Sequence, residues 1–167
     1  MADKYITQVA GTLTEVEATD SSAGAGSAGE IVALDSNGRI DSSMMPVGIG
    51  ADTASIEASE NLAAGDFVNI HNSTGAKVRK ADASTAGKHA HGFVLSAVSS
   101  GANATVYFEG TNTQVTSMTP GDVFLSTTPG IATSTPPSST GNVVQRLGVA
   151  TGTTAINVEA GQPIVLA

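Results

Sequence analysis

A nine-residue stretch occurs twice in this chain at a fixed offset, and that duplication restricts the fold more than any other feature. Leu62-Ala63-Ala64-Gly65-Asp66-Phe67-Val68-Asn69-Ile70 aligns with Met118-Thr119-Pro120-Gly121-Asp122-Val123-Phe124-Leu125-Ser126, 56 positions on. Each copy reads as a Gly-Asp turn leading into a short apolar strand. Later landmarks keep step: Gly92-Phe93-Val94-Leu95 matches Gly148-Val149-Ala150, and Ala104–Phe108 resembles Ala155–Val158 with a few residues deleted. A β unit used twice, with no catalytic residue placed in common, points to a packing module and not a reaction centre.

Turn residues separate short apolar runs at fairly regular intervals from Thr53 onward, the rhythm of small sandwiches and barrels. Strands are expected at Ala54–Ala58, Phe67–His71, Lys77–Lys80, His91–Ala97, Thr105–Glu109, Asn112–Val115, Val123–Ser126, Val143–Ala150, Ala155–Val158 and Ile164–Leu166. The fold class expected is all-β: a small β-barrel, β-tulip-like or sandwich domain with an extended N-terminal arm. Residues 54–167 form the β domain, with related units at about 58–110 and 114–161. The Pro- and Ser-rich stretch Thr133–Ser139 reads as a surface loop.

Residues 1–53 differ in texture. Ile6, Val9, Leu13 and Val16 have the spacing of one helical face, but Gly11 and the many Thr and Val residues lower helix propensity. A short helix and an extended β arm both remain open, with the extended arm favoured. Asp20–Gly29 is a flexible linker by composition, since almost no side chain in it buries useful area. Ile31–Leu34 and Arg39-Ile40 flank Asp35-Ser36-Asn37-Gly38, and Asn-Gly between apolar runs signals a hairpin because both residues tolerate positive φ. Met44-Met45-Pro46 and Gly48-Ile49-Gly50 close the segment.

Charge and chemistry exclude several function classes. The formal net charge is -8 and the seven basic residues are scattered, whereas a nucleic-acid surface needs clustered Lys and Arg. No cysteine is present, which removes disulfides and thiolate metal sites and suits assembly in a reducing cytoplasm. The start of the chain lacks the apolar run of a secretory signal, and no apolar run is long enough to span a membrane. A soluble protein is expected. A core of small aliphatic residues with 4% aromatics gives modest burial per residue at roughly 25 cal/mol per Å², so subunit contacts are expected.

Asp66 and Asp122 could be paired acids, yet neither copy has a His or a second carboxylate at a fixed offset. The turn reading is preferred: Gly supplies the conformation and Asp hydrogen-bonds the local backbone. His89-Ala90-His91 places two imidazoles on one face of an extended segment, a spacing that can grip a metal, although surface histidines beside the polar loop Ala81–Lys88 are the plainer reading. Asp35–Gly38 fails as a calcium loop because Ala33 holds the first ligand position and no bidentate Glu follows. No phosphate loop or nucleophile elbow occurs. Tyr5, Tyr107 and the four Phe residues form no stacking row and are assigned to core or subunit contacts. The expectation is a non-enzymatic chain without a cofactor.

The order in Gly65–Glu109 is an apolar strand, a Gly turn, a basic-apolar strand and a polar loop, followed by HGFVLSAVSSGANATVYFEGTNTQV. It resembles the head-decoration (cement) proteins of tailed bacteriophages, including the lambdoid type. In those proteins a G-(I/F)-(L/V) strand, a small-residue turn and a T-(L/V)-x-F strand follow one another. Thr119–Ala167 is similar to closing modules of phage virion proteins, and Glu30–Pro46 to connectors that precede trimeric head or tail fibre modules. The duplicated Gly-Asp unit and the length depart from the smallest cement proteins. The resemblance implies a homotrimer on local threefold points of the outer capsid surface, binding the major capsid protein after expansion, without nucleic-acid or membrane partners. Under this reading the arm contacts the capsid through Tyr5, Ile6, Val9, Leu13, Val16, Ile31, Val32, Leu34 and Ile40. The alternative is a trimeric tail-fibre, spike or head-fibre module that binds the host surface.

Overall fold

The computed structural model describes residues 3–45 and 50–167; Pro46 and the Gly48-Ile49 pair of the expected closing run lie outside the described residues. The chain divides after Gly50 into two compact units. All regular structure beyond short turns is β, as the spacing of apolar runs and turn residues predicts.

In the first unit, β1 (Lys4–Val9) and β2 (Thr12–Glu17) form an antiparallel hairpin. Ala10 and Gly11 both have positive φ, 50° and 87°, the geometry that a two-residue hairpin loop needs to match strand twist. The arm is therefore extended but folded back on itself. Opposed rungs share a face in such a ribbon. Tyr5 faces Val16 and Val9 faces Thr12 on one side, whereas Ile6 faces Glu15 and Leu13 faces Gln8 on the other. The single helical face suggested by their spacing is thus split in two.

The expected flexible linker contains a tight helical turn at Gly24–Ser27, held by the Ser27 Oγ, which accepts the Ala23 N–H at 3.0 Å. The expected Asn-Gly hairpin is a closed turn without a strand ladder. Gly38 N–H donates to Asp35 O (2.9 Å) and Asp35 N–H to Arg39 O (2.7 Å). Only Gly38 has positive φ, because Asp35 Oδ1 accepts both the Asn37 and Arg39 N–H groups and holds Asn37 in an ordinary conformation.

The second unit carries the duplication into three dimensions. β3 (Thr53–Ala58), β4 (Phe67–Asn72), β5 (Ala76–Lys80), β6 (Gly92–Phe93) and β7 (Asn103–Tyr107) close into a barrel in the order β3-β5-β4-β6-β7. A second, open sheet holds β8 (Gly110–Asn112), β9 (Gly121–Leu125), β10 (Ala132–Thr133), β12 (Arg146–Ala150) and β13 (Ile156–Val158) in the order β10-β9-β12-β13-β8. Starting from β5, the barrel reads β5-β4-β6-β7-β3, so each strand has a counterpart at the same place in the other sheet. β11 (Val143–Val144) pairs with β14 (Ile164–Val165). The single strand expected over Val143–Ala150 is broken at Gln145, whose carbonyl still accepts the Leu125 N–H at 2.9 Å and whose side chain makes the bonds described below. Within the stretch expected as a loop, Thr133 belongs to β10.

Alternation along β4 serves two cores at once. Val68 and Ile70 point into the barrel with Val78, Val94, Ala104 and Val106. Phe67 points the other way, into a cluster with Phe93, Val123, Leu125, Leu147 and Ile156 that joins the two repeats. Phe93 lies 6.2 Å from Phe67 and stacks on Tyr107 at 5.5 Å between ring centroids. Two of the four phenylalanines and Tyr107 thus join the shared cluster, and burying a ring of this kind is worth about 1.5–3 kcal/mol.

Candidate functional site

Backbone continuity ties the repeats together before any side chain does. Phe67 N–H donates to Gly130 O (2.9 Å), Gly130 N–H to Ala81 O (2.8 Å) and Ala83 N–H to Ser126 O (3.0 Å). Buried amides then act as substitute strands. Gln145, 2% exposed, accepts the Ala90 N–H (2.8 Å) and donates to Ala90 O and Gly161 O (2.9 and 3.1 Å). Asn112 donates to Gly65 O at 2.9 Å. No buried side-chain nitrogen or oxygen among the described residues lacks a partner. Sequence reasoning missed these amides, because Gln and Asn carry no pattern that separates a buried bridge from a surface polar residue.

The two Gly-Asp turns have diverged. Asp66 is buried; its Oδ2 accepts the Ala63 N–H (2.8 Å) and lies 3.4 Å from Lys80 Nζ. This is the local backbone role expected of it. Asp122 is exposed and instead bonds the Arg146 guanidinium at 2.8 Å, so the expected turn role does not hold there. The two carboxylates serve different local contacts and form no shared acid pair.

His89 and His91 do come together, with ring centroids 4.5 Å apart and edge to face. His91 Nδ1 accepts the Ile70 N–H at 2.9 Å, so that nitrogen is unprotonated and occupied. Metal binding through Nε2 would require a proton on Nδ1, facing another N–H. The pair does not fit a metal, and among the described residues no group of three or more His, Asp or Glu side chains could hold one. Burial, and next the neighbouring His89, hold the His91 pKa below the ordinary imidazole value of 6.5.

The arm presents the opposite picture. Ile6, Val9, Leu13, Ile31, Val32, Leu34 and Ile40 are all exposed, with Leu13 at 76%, while Tyr5 and Val16 are half-buried as a cross-strand pair. Ile31, Val32 and Leu34 lie in an extended stretch tied to Thr19 by one parallel bridge and the bonds Thr19 N–H to Ile31 O and Ala33 N–H to Thr19 O. No described residue of this unit is buried. It has surface and strand edges but no core.

Among the described residues no helix is long and apolar enough to cross a membrane. Compared with known proteins, the chain matches no protein-family model, no curated protein and no solved structure.

Proposed function

We propose that this chain is a non-catalytic structural protein of a phage virion that decorates and stabilises the expanded capsid as a homotrimer. The observation that carries this reading is the division of labour between the units. Among the described residues the β domain contains every buried apolar side chain, whereas the arm exposes seven large aliphatic ones: Ile6, Val9 and Leu13 on its two-stranded ribbon and Ile31, Val32, Leu34 and Ile40 in the segment that follows. An isolated two-stranded hairpin is marginal in water, and unpaired strand edges take up further strands. An arm of this kind reaches its full order against a second surface, by β-augmentation with backbone bonds for affinity and alternate side chains for register. Ordering costs about 2–5 kcal/mol, offset when symmetry repeats the contact many times over a lattice. The major capsid protein is the partner this reading requires, and the resemblance of Gly65–Glu109 to cement proteins supports it.

Deletion of residues 1–50 tests the assignment. The expected result is a folded β domain that no longer attaches to expanded heads, while the full chain binds expanded heads far better than unexpanded ones. Attachment that survives the deletion overturns the role of the arm.

A further inference from the structure

The two repeats differ in one respect that exposes a site. In the barrel, β3 and β5 pair in parallel through Glu57 with Lys77 and Ala58 with Val78, and the Ser59 N–H donates to Val78 O at 2.8 Å. The counterparts of these strands in the second sheet, β8 and β10, do not pair with each other. Their seam is bridged from below by the Gly65-Asp66 turn of the first repeat. Gly65 O accepts from Asn112 on one flank, and Phe67 N–H donates to Gly130 on the other. Above this turn the seam stays open as a cleft of about 220 Å³, walled by Val115 and Met118 on the β8 side and by Ile131 and Ala132 on the β10 side.

This cleft has the character of a socket. Its lining also includes Asp66, Gln114 and Thr116; a cavity of about 150 Å³ is enough to hold a benzene molecule, so the cleft has room for a branched aliphatic side chain. The lips are uncharged over Gly110–Gly121 and Leu125–Asn142. Ser117, on the β8 flank, holds a φ of 58°, a conformation that non-glycine residues adopt at a cost. β10 is hydrogen-bonded on one side only.

The same chain carries a matching knob. The exposed large apolar residues of the β domain are Ile131 at the lip, Val149, and the adjacent pair Ile164 and Val165 on β14. β14 pairs with β11 alone, and Ala160–Ala167 contains no charged residue. In a protein of net charge -8, copies repel each other, and β14 and the cleft, whose lips carry no charge and whose Asp66 is paired with Lys80, are surfaces on which they can approach. We infer that Ile164 on β14 of one copy docks into the Val115–Ile131 cleft of the next, adding a strand at the β10 edge. Knob and socket are different patches, so the contact is heterologous and propagates around a ring. This deepens the homotrimer of the proposed function and rests on it.

The absence of native cysteine gives a clean test. Ile131→Cys and Ile164→Cys single variants are mixed and oxidised, with a Val149→Cys and Ile164→Cys mixture as control; solution mass is measured for the unaltered chain and for Ile164→Asp. Docking predicts that the 131–164 mixture cross-links several-fold more than the control, and that Ile164→Asp drops from trimer to single chain while its far-UV circular dichroism stays that of the folded chain. A trimer that survives Ile164→Asp and shows no excess 131–164 cross-link overturns the docking and leaves the trimer standing. A single-chain mass for the unaltered protein at every concentration overturns both. Attachment to heads, scored separately, reports on the capsid role alone.

Discussion

Gly92 and Gly148, 56 positions apart, occupy the same place in their repeats, where one strand passes directly over the backbone of the next. A Cβ on Gly92 would lie 2.4 Å from Tyr107 O, and one on Gly148 would lie 2.0 Å from Asn157 O. Tyr107 and Asn157 belong to the corresponding strands β7 and β13. The duplication is thus preserved at this close backbone approach, whereas Gly65, equally tight against Gln114 O at 2.4 Å, has in Gly121 a counterpart with open space around it.

Gly148→Ala and Gly92→Ala are each expected to destabilise the β domain by roughly 2–4 kcal/mol, near the upper end of single-residue effects. Gly152, with open space around it and no left-handed φ, is the control, and its alanine variant should stay within about 0.5 kcal/mol. Urea denaturation of the three variants decides the matter; equal midpoints would remove the steric argument.

Gln145→Leu keeps the bulk but leaves the Ala90 N–H and the Ala90 and Gly161 carbonyls unpaired. An unsatisfied buried group costs about 1–3 kcal/mol, so a loss of several degrees in thermal midpoint is expected. An unchanged midpoint in calorimetry would show that water replaces the amide freely.

Limited trypsin digestion should cut after Arg39 well before Lys77, Arg79 or Lys80. Arg39 sits in an exposed turn of a unit without buried residues, whereas the other three lie on β5 of the closed barrel. Mass spectrometry of the early product should find a fragment beginning at Ile40. Early cleavage within β5 would contradict the assigned stability order.

Acid should weaken the β domain through His91. The folded pKa is depressed below 6.5, chiefly by burial, so the unfolded chain takes up the proton first. The associated stability is complete above 6.5 and is lost as pH falls through the folded value. His91→Gln should flatten the thermal midpoint against pH over that window. A slope identical to that of the unaltered chain would assign the effect to other groups, such as His71, whose pKa burial and then Arg79 also lower.

Period-two alternation and turn residues made the all-β class legible, and they located β4, β5, β7, β9, β13 and β14 to within a residue or two. The repeat at Gly65-Asp66 and Gly121-Asp122 pointed to a module used twice. Pairing across long separations was not legible: nothing in the residues says that β3 meets β5 in parallel while β8 and β10 stay apart. Nor did Ala10-Gly11 announce a hairpin, since Ala rarely takes positive φ. The exposed arm side chains were legible as apolar residues in a low-propensity stretch, but the cleft between Val115 and Ile131 depends on tertiary placement alone.

Phe67 and Phe93 reach out of the barrel into the cluster formed by Val123, Leu125, Leu147 and Ile156, and this makes the two halves mutually dependent. Each would be an amphiphile by itself, with a wet greasy flank the other is shaped to cover. Severing the polypeptide near Glu109 would therefore leave two fragments with good reason to find one another, a natural starting point for a split protein that reassembles on mixing.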